Sequence, residues 1–200
     1  MDRRPSVAMR SPEGTPFSVA TGALWLDLVY TGGAGDRSRW EALHTPSDVA
    51  AWALSSGVVS DPSTVRIDEA DLRATHRLRE TLWDMANRLA DGKLPTSDAV
   101  AHLNTVAQEA DPVPQLVLRS GALELDRGRN ADGAQVLSAI ARDAIALLSG
   151  PHADRVKRCA ATDCALLFVD TSRPGARRWC AMSRCGNRDK ARTRRRFEKG

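Results

Sequence analysis

The sequence predicts an α+β fold: a mostly helical N-terminal domain carrying a β-hairpin, followed by a small C-terminal module rich in cysteine and arginine. Three observations carry this reading. Apolar residues recur at three- and four-residue steps over residues 68–92 and 131–150, the period of amphipathic helices. Apolar and polar residues alternate over 114–127 around Ser120-Gly121, the pattern of a hairpin. All four cysteines fall between residues 159 and 185.

Charge divides the chain near residue 150. Residues 1–150 hold 15 Lys+Arg against 20 Asp+Glu, a net of −5, while residues 151–200 hold 14 against 5, a net of +9, so that the whole is +4. Only the second region looks built for a polyanion. Residues 1–16, dominated by proline, glycine, serine and arginine, read as a flexible tail, 17–150 as the main domain, and 151–200 as the basic module. Gly150-Pro151 marks a junction that few contacts should cross. No apolar segment opens the chain in the manner of a signal peptide, and no stretch approaches the roughly 20 apolar residues that a bilayer crossing needs. A soluble, cytoplasmic protein is expected, in a compartment that disfavours structural disulfides.

Within the main domain, Leu24–Val29 is a short apolar segment stopped by Gly32 and Gly33; periodicity alone leaves helix and buried strand open. A short helix follows, with Thr45 or Ser47 as N-cap, Val49, Trp52 and Ala53 on one face, and Gly57 past its end. The clearest helix carries Leu72, Thr75, Leu78, Leu82, Met85 and Leu89 on one stripe, with Asp and Glu at its start and Gly92 as C-cap glycine. The next, capped by Thr96 or Ser97, offers Val100, Leu103, Val106 and Ala107 as its apolar face. Leu116 and Leu118 on one arm of the hairpin face Leu123 and Leu125 on the other. A last helix presents Val136, Leu137, Ile140, Ala144, Leu147 and Leu148 and stops at Gly150.

Little in this domain points to catalysis. G-x-S-x-G, H-E-x-x-H, P-loop and dinucleotide fingerprints are all missing, and His44, His76, His102 and His152 stand singly. Arg79-Glu80 either lines a pocket or belongs to a solvated helix face. With no paired acid and base and no nucleophile constellation, an enzyme is not expected.

The cysteines carry the chemistry. Cys159/Cys164 and Cys180/Cys185 form two C-x4-C pairs separated by 15 residues. Inert buried cysteine accounts for one or two residues but poorly for four in equal pairs, and disulfides conflict with the compartment. Four thiolates in paired spacing suit one structural Zn²⁺, saturated by protein ligands and so not catalytic; a redox or iron–sulfur role is the remaining alternative. A module of roughly 40 to 45 residues cannot bury enough apolar surface to fold alone, and metal supplies the difference. "ALLFVD" and "ARRWCAM" read as two strands joined by "TSRPG", bringing Cys164 to Cys180, with Leu167, Phe168 and Trp179 as a small core. A helix then starts at Gly186-Asn187, giving a ββα-like, treble-clef-like module. Arg188, Arg192, Arg195 and Lys199 share one stripe of that helix, Lys190, Arg194 and Arg196 widen it, and Arg177, Arg178 and Arg184 support it from the hairpin and turn. Such a surface is either a solvated cationic tail or a seat for nucleic-acid phosphates.

Cys159-x4-Cys164, Phe168, Asp170, "RRWCAM", Cys185-Gly186-Asn187-Arg188 and "KAR" resemble the CGNR zinc finger over residues 155–196. Upstream, "LWLDLVYT", "LRATHRLRETLWDMANRLADG", "LNTVA" and "AIARDAIALLSG" are similar to the ABATE domain that usually precedes it. This chain has Leu28-Val29-Tyr30-Thr31 where the family commonly has "FVNT". The resemblance implies a bacterial, stress-associated transcription regulator that binds DNA through the finger, with an N-terminal domain that senses a ligand or mediates homodimer formation. Arginine rather than lysine predominates in the finger, which suits bidentate contact to phosphate or guanine. An RNA-binding stress or translation factor and a zinc-containing protein-interaction adaptor are the rival readings.

Overall fold

A computed structural model describes residues 7–10 and 14–197, with residues 196 and 197 as main chain only. The elements run β1 (Val7–Arg10), β2 (Pro16–Val19), α1 (Leu24–Val29), a 3-10 turn (Gly35–Trp40), α2 (Pro46–Ser55), α3 (Glu69–Ala90), α4 (Ser97–Val106), β3 (Pro114–Arg119), β4 (Ala122–Arg127), α5 (Gly133–Leu148), β5 (Val156–Arg158), β6 (Leu167–Val169) and α6 (Asn187–Phe197). Strands form three two-stranded antiparallel ribbons, β1–β2, β3–β4 and β5–β6, each joining neighbours in sequence. The class is α+β, as the sequence predicts.

The ambiguous segment is a helix. All six residues of α1 are buried, with α3 and α5 packed around it. A lone strand there would leave its backbone groups unpaired, whereas a helix satisfies most of its own. Its open N-terminus is completed from a distance: the Asp143 carboxylate of α5 accepts from the N–H of Leu24 at 2.8 Å and of Trp25 at 3.2 Å. Longer helices carry local caps. Thr45 with Asp48, Asp68 with Asp71, and Asp132 with Gln135 form reciprocal capping boxes on α2, α3 and α5, and Thr96 caps α4. Each such cap satisfies backbone N–H groups that the first turn of its helix would otherwise leave open.

Leu78, Leu82 and Met85 of α3, Val136, Ile140 and Ala144 of α5, and Leu26 and Leu28 of α1 meet in one core. Spacing misplaces two apolar sets. Val100 is exposed because α4 turns Ala99 and Leu103 inward. The β3–β4 hairpin, closed by Ser120 (φ 50°) and Gly121 (φ 80°) in the left-handed turn that two-residue hairpins require, projects from the domain. Its paired leucines, Leu116 with Leu125 and Leu118 with Leu123, are 49–73 % exposed.

Two further expectations are corrected. Residues 7–10, assigned to a flexible tail, pair with 16–19, Val7 opposite Val19 and Met9 opposite Phe17, and Met9, Phe17 and Val19 pack against the cysteine cluster. Apolar atoms on one face of a short ribbon find a partner in the finger, so composition alone misjudged it. Nor is the junction at residue 150 sparsely crossed. Val156, Leu167 and Val169 belong to the main core. The Val169 N–H donates to the Thr21 carbonyl at 2.7 Å. Gly22, at φ +88°, lies so close that a Cβ there would meet the Val169 oxygen at 2.7 Å. Arg158 reaches Asn87 of α3 at 3.0 Å and Asp91, the residue that caps its C-terminus, at 2.9 Å.

Candidate metal centre and basic helix

β5 delivers Cys159, whose N–H donates to the Leu166 carbonyl at 2.8 Å. A tight turn, Cys164 N–H to Ala161 O at 3.1 Å, folds the second cysteine back beside it. Cys180 arrives from the long loop, with its N–H directed at the Cys159 Sγ at 3.4 Å. Cys185 sits in the π-helical turn Met182–Gly186 that leads into α6.

The four Sγ atoms lie within 4.8 Å of one another. Cys164–Cys180 and Cys180–Cys185 each measure 3.7 Å, close to the roughly 3.8 Å edge of a tetrahedron with metal–sulfur bonds of about 2.3 Å. Three of the cysteines are buried and Cys164 is half-buried, so the cluster is closed to substrate. Hydrogen bonds from Cys164 and Cys180 hold the Cys159 thiol well below its ordinary pKa. Their own thiols are pushed up by the same bonds, Cys164 to about 12. Thiols that share protons this closely release them to a cation. The donor set fits one structural zinc ion, four soft thiolates at tetrahedral contact with no open position.

Around it the tetrapeptide 185–188 has a physical reason at each place. A Cβ on Gly186 would meet the Met182 sulfur at 2.3 Å. Asn187 donates from Nδ2 to the Ser183 carbonyl at 3.2 Å, fastening the turn. Arg188 donates to the Cys185 sulfur at 3.4 Å and pairs with Asp163 at 3.0 Å. Burial lowers its pKa, but the Cys185 sulfur and the Asp163 carboxylate raise it by more. A guanidinium beside the sulfurs offsets negative charge that four thiolates leave on a divalent ion.

The predicted "ALLFVD"/"ARRWCAM" hairpin is replaced by another. β6 pairs with β5, Val156 opposite Val169 and Arg158 opposite Leu167, while 176–181 contains no strand. The intervening loop is held instead by Asp170, which is fully buried. Its carboxylate accepts from Lys157 at 2.8 Å and from the N–H groups of Ser172 (3.0 Å) and Arg177 (2.8 Å). Burial raises the Asp170 pKa, yet these donors more than compensate and hold it well below the usual carboxylate range. Asp170 therefore holds the loop together.

The basic residues divide into two sets. Arg177, expected at the phosphate surface, turns inward: it stacks on Phe168 at 4.3 Å and donates to the carbonyls of Trp179 (2.9 Å) and Cys180. Arg184 lies over Phe17 at 4.4 Å. Arg188 and Arg192 converge on one Asp163 oxygen, at 3.0 and 2.9 Å. Arg178, Lys190, Arg194 and Arg195 are exposed. The Arg196 side chain and all of Lys199 lie outside the described residues. Asp163, Lys157 and Tyr30 are the contributors that sequence reasoning missed. Asp163 had one signal, an acid inside the first C-x4-C loop facing a basic run.

A closed four-thiolate site beneath a basic helix, packed against a mostly helical domain, is the arrangement of a zinc-finger protein. The chain belongs to the ABATE family, described as "Putative stress-induced transcription regulator", whose model matches residues 22–151. Residues 155–196 match the CGNR zinc finger. Neither description names an enzyme. No curated protein matches the chain. Among the described residues no helix is long and apolar enough to cross a membrane.

Proposed function

We propose that this protein is a bacterial, cytoplasmic transcription regulator that is not an enzyme. In this reading Cys159, Cys164, Cys180 and Cys185 hold one zinc ion, and residues 151–200 bind DNA. Residues 17–150 sense a ligand or mediate pairing of two copies. The observation that carries the reading is the mounting of α6: its first turn is fastened to the cysteine cluster through Arg188, while Lys190, Arg194 and Arg195 remain exposed. A fixed helix of this charge presents guanidinium groups to phosphates without the entropy cost of ordering a free tail. Arg178 is also exposed, stacked on Trp179 at 4.9 Å. Four exposed leucines on the β3–β4 ribbon support pairing of two copies, which sedimentation over a range of concentrations checks.

The test is binding of duplex DNA, structured RNA and single strands at several salt concentrations. About four to six phosphate contacts give a log-log salt slope of roughly −4 to −5 for duplex DNA, and Arg195→Ala should reduce it by about one without changing zinc content. Tighter binding of RNA would replace this reading with the RNA-binding one. A flat salt response for all three polymers would leave the adaptor reading in its place.

A further inference from the structure

The geometry points to a binding site for a small aromatic organic anion in the cleft between the N-terminal domain and the zinc module. It deepens the ligand-sensing reading above and rests on it.

The cleft holds about 540 Å³, within the roughly 300–1,000 Å³ of small-molecule sites. One wall is the 3-10 turn with Arg39 and Trp40, backed by Trp83 of α3; the other is the Thr162–Leu166 loop of the zinc module, with Arg184 beside it. Aromatic rings thus stand on both sides, since Phe17 of β2 also lines it.

Its charge is what selects an anion. Two of the lining arginines are neutralised by the fold, Arg37 by Glu80 and Arg158 by Asp91. The lining carboxylate Asp163 is itself taken by Arg188 and Arg192. Arg39 and Arg184 differ. Arg39 lies over the Trp40 ring at 4.2 Å and Arg184 over the Phe17 ring at 4.4 Å, and among the described residues neither has a carboxylate partner or a hydrogen bond. Stacking fixes the plane of a guanidinium while leaving its N–H edge available, the arrangement that receives a carboxylate or sulfonate. Arg10, which donates to the Gly14 carbonyl at 3.1 Å, adds to this positive excess; Asp36 opposes it from an exposed position.

Position gives the site a consequence. Cys164 lies on the cleft wall and Arg184 immediately precedes Cys185. A ligand held between Arg39 and Arg184 joins the two halves of the protein next to Cys185 and the start of α6, so its occupancy reaches the zinc module through that turn.

Calorimetry on the full-length, zinc-loaded protein tests this with 2-naphthoate and its uncharged counterpart 2-naphthamide. Naphthoate should bind one per chain, at least about tenfold more tightly than the amide, and Arg39→Gln and Arg184→Gln should each weaken it by about tenfold or more. Trp40→Ala should weaken both probes. Should Arg184→Gln lose zinc, Arg39→Gln alone decides, since that residue is exposed and remote from the cysteines in sequence. Absence of naphthoate binding, equal affinity for the two probes, or unchanged affinity in Arg39→Gln overturns the proposal. None of these outcomes alters the DNA salt slope, so the cleft and the DNA-binding reading fall separately.

Discussion

The hydroxyl of Tyr30 donates to the Leu167 carbonyl at 2.7 Å and accepts from the Leu167 N–H. One side chain at the end of α1 thereby occupies both backbone groups of a residue in β6, across the two halves of the protein. Burial pushes its phenol pKa up, so it stays a neutral donor. Tyr30→Phe should leave both Leu167 groups buried without partners and destabilise the protein by about 2 kcal/mol. Denaturant unfolding checks the size, and faster hydrogen exchange at Leu167 checks the place.

Purified protein should contain about one zinc per chain by elemental analysis. Cys180→Ser should lose it, because that sulfur lies at 3.7 Å from two of the other three. Loss of the metal should unfold α6 and the surrounding loops. β5 and β6 should loosen less, since Val156, Leu167 and Val169 are anchored in the main core. Retention of zinc in the variant would overturn the ligand assignment.

Arg79 of α3 is 3 % exposed and is met by Glu41 through two bonds of 2.7 and 2.6 Å. Glu41→Gln should cost about 3 kcal/mol, because it leaves the buried guanidinium with only the more distant Glu80 carboxylate, at 3.9 Å. Burial raises the Glu41 pKa, but the Arg79 bonds outweigh it and the net shift is downward. A carboxylate depressed in the folded state contributes stability that is complete above its unfolded pKa of about 4.3 and is lost as pH falls below that toward the folded value. Wild type should therefore lose its advantage over Glu41→Gln below about pH 4, measured as the gap between their thermal midpoints.

Asp163 neutralises Arg188 and Arg192 together. Asp163→Asn should free Arg192 for phosphate and raise duplex-DNA affinity severalfold at moderate salt, with a log-log slope steeper by about one. Anisotropy titrations over a salt series check both. Weaker binding with an unchanged slope would show that Asp163 orients α6 more than it screens it.

Cysteine spacing and the basic run were enough to expect a zinc module, since ligand type and number constrain the metal whatever surrounds it. Helices α2 to α5 were legible for a similar reason: caps and three-to-four-residue periodicity are local signals, written within each segment. The finger's strand pairing was not. Three-residue strands carry almost no pattern, and β5 pairs with β6 because Val156 and Val169 both find room in a core built by α1, α3 and α5. Apolar spacing likewise marked Leu116, Leu118, Leu123 and Leu125 as a set but could not tell that the hairpin would project from the domain.

What the sequence by itself determined is the inventory: the helices, the four thiols, and a basic region distinct from an acidic one. Tertiary structure alone decided how these meet. It turned Arg177 inward, set Asp163 against two arginines, placed Tyr30 on Leu167, and opened a cleft lined by both halves of the chain. The physical reason is that a helix or a C-x4-C pair is specified by residues a few positions apart. A salt bridge or a shared core between residues about 30 to 140 positions apart depends on which surfaces the whole fold brings together and which polar groups are thereby left to be satisfied.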